Sequence, residues 1–227
     1  MKKIYIYTLL IFCLIISCSN EIVIVDDDKA VEEETPIINN NITFDSFEIL
    51  GRSIDVEFDG KHIWVAHYED SKISKIDVDG NVLKVVDVEG EPIKITFDGE
   101  FLWVAHFTEP IVSKLNTDGE IIGIYDTGES PDGIFRNGDE IWVANGMSNF
   151  ISKISRDTGE TLAEYPIGGG EMPGPYAMEF DGKNLWVANY FENTLERLNL
   201  NGEVIQTINP GFDPVSIVYD GEILWVV

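Results

Sequence analysis

Four polar residues recur at equivalent places in this sequence and are the first candidates for chemistry. Each follows an Ile/Leu-Trp-Val-Ala segment, and the set is His67, His106, Asn145 and Asn189. An aromatic residue comes directly after three of them: Tyr68, Phe107 and Tyr190. Imidazole, amide and aromatic groups gathered in loops can bind a glycan or a peptide, or a divalent cation if nearby carboxylates join them. The sequence therefore predicts a ligand-binding mouth formed by these seven residues.

A second explanation for the four polar residues needs no ligand. Asparagine and histidine side chains at the end of a strand can cap it by hydrogen-bonding loop backbone. Two histidines on separate units do not make a metal site unless neighbours contribute carboxylates. The sequence has no G-x-S-x-G elbow, no H-E-x-x-H helix motif and no P-loop. We assign no catalytic residue, no metal ligand and no cofactor, and a divalent cation at the mouth stays an open alternative.

The elements that must position these residues come from an internal repeat. Residues 58–66 read Phe-Asp-Gly-Lys-His-Ile-Trp-Val-Ala, and related segments return at 97–105, 137–144, 180–188 and 219–226. The motif contains every tryptophan of the chain, and consecutive tryptophans are 39, 39, 44 and 39 residues apart: Trp64, Trp103, Trp142, Trp186 and Trp225. A fixed period near 40 residues with several short strands per unit is typical of a β-propeller. The predicted fold is all-β, built from four-stranded antiparallel blades.

Glycine-containing turns divide each repeat into strands a to d. In the second unit the predicted strands are 92–97, 101–106, 111–116 and 121–127, with hairpin turns at Asp98-Gly99 and Asp118-Gly119. The repeats begin near residues 52, 91, 130, 174 and 213, which gives four complete blades and a partial fifth formed by 214–219 and 223–227. The sequence stops at Val227 inside a motif, and closed propellers avoid open strand edges. We therefore expect a ring truncated from a larger one. The alternative is a five-bladed ring closed by a three-stranded blade with 43–49 as its d strand.

The b strands are apolar on both faces, as a blade between two neighbouring blades requires. Each tryptophan can bury about 150–250 Å², and we interpret all five as structural contacts between blades. The c strands carry one basic residue each: Lys75, Lys114, Lys153 and Arg197. In a chain this acidic we expect these cations to pair with local carboxylates.

The first 41 residues have the composition of an exported, anchored protein. Residues 1–17 contain Lys2 and Lys3 followed by an apolar run, which is typical of a signal peptide. Residues 15–18, Ile-Ile-Ser-Cys, resemble the lipobox of bacterial lipoproteins. That resemblance implies cleavage before Cys18, its lipidation, and attachment to the outer face of a membrane, in the periplasm or at the cell surface. The alternatives are an ordinary secretory signal and an uncleaved anchor.

Residues 18–41 carry two acidic triplets and almost no aromatic side chains, so we expect an extended, disordered tether, with the propeller over 42–227. The whole chain has 41 acidic and 15 basic residues, a formal net charge of −26. A field of this sign repels phosphate backbones, so we expect no nucleic-acid partner.

The repeat units, with F-D-G-x-x-L-W-V-A followed by I-S-K-I, are similar to the YVTN-type forty-residue propellers of bacteria. They also resemble the streptogramin lyase-like and NHL-type propellers. The resemblance covers about 43–227 and implies the fold, but the family members it includes have diverse functions. Lyases of this group typically have phenylalanine after the blade tryptophan, and a catalytic histidine and glutamate with magnesium in late blades. Here valine follows all five tryptophans, so no lyase residue is carried over.

The sequence leaves three functional hypotheses. The first is a membrane-anchored binding or scaffold module for an unknown protein, peptide or glycan. The second is a metal-assisted lyase or lactonase-type enzyme, and the third is a purely structural cell-surface display protein. The absence of a catalytic constellation in the sequence favours the first.

Overall fold

The computed structural model describes residues 52–169, 174–211 and 213–227. The predicted signal peptide, Cys18, the acidic tether and the proposed strand 43–49 lie outside the described residues. Within the described ranges all regular structure is β-strand, and no helix is long and apolar enough to cross a membrane. The predicted all-β propeller of four-stranded blades is confirmed.

In the described residues, eighteen strands form four complete blades and a two-stranded sheet. Blade 1 consists of β1 (Ser53–Phe58), β2 (Ile63–His67), β3 (Lys72–Ile76) and β4 (Val82–Asp87). Blade 2 consists of β5 (Pro92–Phe97), β6 (Phe101–His106), β7 (Ile111–Asn116) and β8 (Ile121–Asp126). Blade 3 consists of β9 (Pro131–Asn137), β10 (Glu140–Asn145), β11 (Phe150–Ser155) and β12 (Thr161–Pro166). Blade 4 consists of β13 (Pro175–Phe180), β14 (Leu185–Asn189), β15 (Thr194–Leu198) and β16 (Val204–Ile208), and the partial fifth pairs β17 (Ile217–Tyr219) with β18 (Leu224–Val226).

Each complete blade is an antiparallel meander in the order a-b-c-d. The second unit has the predicted bounds for strands a, b and c, and its d strand ends at Asp126, one residue earlier than predicted. In the fifth unit both strands are shorter than predicted. Strand a of each blade contacts strand a of the next, which places the a strands innermost.

The core lies between blades, and the alternation along strand b decides which neighbour each side chain meets. Trp64 and Ala66 face forward and pack with Leu102 and Val104 of blade 2. Trp103 and Trp142 repeat this contact toward blades 3 and 4. The tryptophans of blades 1 to 3 are fully buried, Trp186 is nearly so, and Trp225 is half-buried.

The aspartate of each Phe-Asp-Gly motif does more than favour a turn. Asp98 accepts hydrogen bonds from the backbone N–H groups of Glu100 (2.9 Å) and Phe101 (2.7 Å), and from Trp103 Nε1 (2.8 Å). Asp59, Asp181 and Asp220 bind their turns and tryptophans in the same way. A buried indole N–H needs an acceptor, so the aspartate and the tryptophan five residues on act as one unit.

Two of the four basic residues of the c strands bind backbone, contrary to our expectation of carboxylate partners. They donate to carbonyl oxygens in the c–d turn of the next blade: Lys75 to Thr117 (2.7 Å) and Lys114 to Arg156 (2.6 Å). Lys153 follows the expectation, through an ion pair with Glu140 at 2.6 Å. Arg197 lies over the Trp186 ring, and among the described residues its Nε has no hydrogen-bond partner. A turn carbonyl is held fixed by its hairpin, so binding it orders fewer rotatable bonds than binding a carboxylate side chain.

Another contact between blades joins strand d to the glycine of the next c–d turn. The pairs are Val86 with Gly119, Tyr125 with Gly159, and Tyr165 with Gly202. Tyr125 also packs on Trp103, with 5.7 Å between ring centroids. A Cβ at position 159 would overlap the Tyr125 ring. The turn glycine is therefore needed for close approach as well as for its positive φ.

We expect Gly159→Ala to lower the free energy of unfolding more than Gly138→Ala does. Both glycines have positive φ, +74° and +60°, but nothing lies within 4 Å of a Cβ at position 138. A left-handed alanine costs about 1–2 kcal/mol, and displacing the Tyr125 ring should add about 1–2 kcal/mol. Urea denaturation of both variants measures the difference, and equal losses would contradict the packing role.

Candidate functional site

The four polar residues predicted for the mouth lie at the last position of each b strand and are all 0% exposed. Each bonds a side chain seven residues on, in strand c: His67 to Ser74 (2.7 Å), His106 to Ser113 (2.8 Å), Asn145 to Ser152 (2.9 Å) and Asn189 to Glu196 (3.0 Å). They lie beneath the loops and join strands b and c within a blade. The second explanation, a hydrogen bond from the side chain to loop backbone, applies to Asn145. Its Oδ1 accepts from the backbone N–H of Gly128, in the d–a connection, at 3.0 Å.

His106 is the one member of this set with a buried nitrogen, Nδ1, that has no hydrogen-bond partner among the described residues. In blade 1 the equivalent His67 Nδ1 lies 3.3 Å from Ser53 Oγ. Pro92 occupies the place of that serine in blade 2 and offers no hydroxyl. Burial lowers the pKa of His106 to about 4, so the ring is neutral at pH 7.

We expect His106→Asn to be tolerated and His106→Ala to cost about 2–3 kcal/mol of stability. Asparagine fills this place in blades 3 and 4 and can keep the bond to Ser113, whereas alanine leaves that hydroxyl unpaired. The wild type must charge a buried imidazole in acid, so it loses stability as pH falls from about 6.5 to about 4. The asparagine variant lacks this component. Thermal denaturation at pH 4.5 and pH 7.5 tests both points, and an equal loss in the two variants would contradict them.

The three aromatic residues of the prediction stand at the start of the b–c loops and are partly exposed. The rings of Tyr68 and Phe107, from neighbouring blades, are 5.9 Å apart. Tyr190 lies 5.8 Å from Tyr176 and 4.8 Å from Phe191, which makes a second aromatic group in blade 4. Sequence reasoning missed Tyr176 as a site residue because it belongs to a strand, and only the pairing of that strand reveals how it is presented.

A bulge at the second residue of each a strand presents one side chain in every complete blade. The register skips this residue in all four a strands: Ile54, Ile93, Asp132 and Tyr176. Bulges re-aim a side chain and are frequent beside binding sites. Blade 3 is the one complete blade with an ionisable carboxyl at this place, and sequence reasoning did not single it out.

The Asp132 carboxyl is 7% exposed and poorly partnered. The hydroxyl of Ser130, at 3.4–3.5 Å, is its one hydrogen-bond partner in the described residues. Burial raises the pKa of Asp132 to about 7, against the lowering effect of Ser130. A carboxyl of this kind can exchange a proton near neutrality or pair with an incoming cation.

The field of Asp132 reaches aromatic residues on two other blades. The pKa of Tyr68 is raised to about 12 by burial and by Glu91, with a smaller contribution from Asp132. The pKa of Tyr176 is raised by burial and then by Asp132. We call Asp132 and the five rings the aromatic mouth: Tyr68, Phe107, Tyr176, Tyr190 and Phe191.

Two other carboxylates near the loops, Glu69 and Glu192, have partners of their own. Glu69 forms an ion pair with Arg52 at 3.2 Å, and Glu192 accepts from Gly169 N at 3.0 Å. No group of three or more histidine, cysteine, aspartate or glutamate residues that could hold a metal ion occurs in the described part of the chain.

Several solved structures share the fold of this chain. A streptogramin B lyase aligns with a TM-score of 0.69 and 19% identity, over 77% of this chain and 61% of the lyase. The virginiamycin B lyase of Staphylococcus aureus aligns with a TM-score of 0.68 and 22% identity, over 77% of this chain and 62% of the lyase. The hydrazine synthase of Kuenenia stuttgartiensis aligns with a TM-score of 0.69 and 22% identity, over 85% of this chain and 58% of the synthase.

The chain spans about 60% of the length of these neighbours, and at such identities the likeness shows the fold alone. No protein-family model matches the sequence. No curated protein matches it either. The class that the fold defines is a β-propeller of four-stranded antiparallel blades.

Proposed function

We propose that this protein is a binding module of the cell envelope, which takes a soluble or protein-borne ligand at the aromatic mouth. The observation that carries the proposal is the grouping of partly exposed rings around a buried, underpartnered carboxyl. Rigid aromatic side chains offer large contact area at little entropic cost, and a few polar groups then fix orientation. The scaffold behind the mouth is rigid because polar pairs and tryptophans fill the spaces within and between blades.

Location follows from the amino-terminal sequence. A lipid on Cys18 and the acidic tether of residues 18–41 would hold the propeller away from a membrane surface. Labelling of producing cells with palmitate tests this part. We expect label on the wild type and none on Cys18→Ser, and equal label on both would contradict lipidation at that residue.

Binding is tested with the full chain in detergent against a panel of oligosaccharides, short peptides and divalent-cation salts. For any hit we expect Phe107→Ala to weaken affinity at least about 10-fold, because one ring contributes about 1–3 kcal/mol when buried. Ile122→Ala is the matched control, since it removes a side chain that is 47% exposed on an outer d strand. Equal affinity of the two variants would show that the mouth is not the site. If the panel yields no ligand at all, purely structural display replaces this proposal.

A lyase-type enzyme is the second candidate, favoured by the two lyases among the structural neighbours. Incubation with streptogramin B and magnesium, followed by mass spectrometry, tests it directly. Formation of a linear product that is lost in Asp132→Asn would replace the binding proposal.

A further inference from the structure

Blade 3 differs from the other complete blades at two facing positions together. The residue after the last b-strand residue is aromatic in blades 1, 2 and 4, but it is Gly146 in blade 3. The bulged a-strand residue is apolar or aromatic in those blades, but it is Asp132 in blade 3.

These two differences depend on each other. A Cβ at position 146 would overlap Asp132 Oδ2. The carboxyl therefore occupies space that a side chain at position 146 would need. Where the other complete blades have an aromatic ring after strand b, blade 3 therefore has the buried carboxyl of Asp132.

The surroundings of Asp132 lack the partners that other buried carboxylates of this chain have. Asp55, which is equally buried, accepts from Lys94 Nζ at 2.7 Å and from Ile95 N at 2.8 Å. Asp98 binds the guanidinium of Arg156. Asp132 forms no ion pair within residues 52–169, 174–211 and 213–227, and its bond to Ser130 lies at the long limit.

A buried carboxylate without a cation is costly and is relieved most by an opposite charge. Aromatic faces nearby add cation–π attraction for an ammonium or guanidinium group. A neutral sugar hydroxyl would bond the carboxyl but leave its charge uncompensated. The net charge of −26 also raises the local concentration of cations around the protein.

We propose that the aromatic mouth recognises a cationic nitrogen, an ammonium or guanidinium group, which enters beside Gly146 and pairs with Asp132. This inference rests on the proposed binding function and names the chemistry of its ligand. The group can belong to a small amine or to a lysine or arginine side chain of a peptide, and the two sources make the same contact.

Three matched probes test the inference on the full chain by NMR titration: butylammonium, acetyl-Gly-Lys-Gly-amide and the same tripeptide with norleucine in place of lysine. We expect the lysine peptide to bind at least about 10-fold more tightly than the norleucine peptide. Asp132→Asn should abolish that preference. Glu129→Gln removes an exposed charge from the same d–a connection and should change affinity less than about 2-fold. Binding of butylammonium as tight as that of the lysine peptide would point to a small amine, and much weaker binding to a peptide.

Binding should also strengthen between pH 6 and pH 8, as the carboxyl of Asp132 loses its proton. The phenols of Tyr68 and Tyr176 interact with Asp132 and stay neutral in this range, because burial raises the pKa of both. Glu91 and Arg52 are the charged groups next to Tyr68. Glu129 is the nearest exposed carboxyl in sequence, and its glutamine variant controls for it.

Equal affinity for the lysine and norleucine peptides, or an unchanged preference in Asp132→Asn, overturns the inference. The cationic probes can fail while an oligosaccharide or neutral peptide binds the wild type and not Phe107→Ala. In that case the inferred cationic ligand is wrong and the proposed binding function stands. If Phe107→Ala weakens the binding of no ligand, both the inferred cationic ligand and the proposed binding function are wrong.

Discussion

Replacement of Asp98 by alanine should lower the free energy of unfolding by about 3–5 kcal/mol, the largest loss that we expect from a single carboxylate. The side chain accepts two backbone N–H groups and the Trp103 indole, and it pairs with Arg156 Nε of the next blade at 2.8 Å. Alanine would leave the buried Trp103 indole N–H and Arg156 Nε without this acceptor, although Arg156 Nη2 keeps its bond to Glu100 at 3.0 Å.

Asp181 provides the matched control for this variant. It accepts the same kinds of hydrogen bond, from Lys183 N at 2.9 Å, Asn184 N at 2.6 Å and Trp186 Nε1 at 2.8 Å, but it has no ion pair with the next blade among the described residues. We expect Asp181→Ala to cost about 1–3 kcal/mol. Urea denaturation of both variants gives the difference, and equal losses would show that the bond between blades contributes nothing.

The pH dependence of the Asp98 contribution has a definite sign. Burial opposes ionisation of Asp98, but the Arg156 guanidinium and the N–H donors outweigh it and lower the pKa. The stabilisation is therefore present above the unfolded pKa of about 4 and is lost as pH falls through the folded value. The gap between wild type and Asp98→Ala should narrow in acid.

Replacement of Asp132 by asparagine should have the opposite effect and stabilise the protein above pH 7. The folded pKa of about 7 exceeds the ordinary carboxyl value by about three pH units, so ionisation costs up to about 4 kcal/mol of stability. Because the folded state holds the proton more tightly, the contribution of Asp132 to the stability of the wild type decreases as pH rises from about 4 to about 7. Asparagine keeps the shape and cannot ionise.

Thermal denaturation of Asp132→Asn across pH 4 to 8 measures this effect, with Glu129→Gln as the exposed control. We expect the advantage of the asparagine variant to grow with pH and that of the control to stay flat. A constant difference across this range would show that Asp132 is not an unpaired carboxylate in the folded protein. A destabilising residue at a mouth is what a trade of stability for binding predicts.

The two aspartates show why sequence alone separates structure from function poorly here. Asp98 belongs to a repeated turn motif, so its local role was visible, but the arrival of Arg156 depends on how blade 3 packs on blade 2. Asp132 stands one residue after a proline in a segment with turn-like composition, and nothing in its spacing marks it. Its burial comes from a bulge at Asp132 itself and from Gly146, which is fourteen residues further along the chain, just past the end of the neighbouring strand.

The same distinction holds for the predicted mouth. The recurrence of His67, His106, Asn145 and Asn189 was plain, yet their bonds to residues seven positions on place them inside the blades. Tyr68, Phe107 and Tyr190 stand at the mouth because the register sends the next side chain the other way. A one-residue shift reverses the face of every side chain in a strand.

The sequence by itself determined the fold class, because a forty-residue period with glycine turns and one tryptophan per unit has few other solutions. It also determined the blade count of the described chain and the bounds of strands a to c in the second unit, since these depend on turn chemistry and alternation within about 40 residues. The tertiary structure decided which polar groups are buried, which cations bind carbonyls, and where an unpaired carboxyl lies. Those properties depend on contacts between blades, which bring together residues that no local pattern relates.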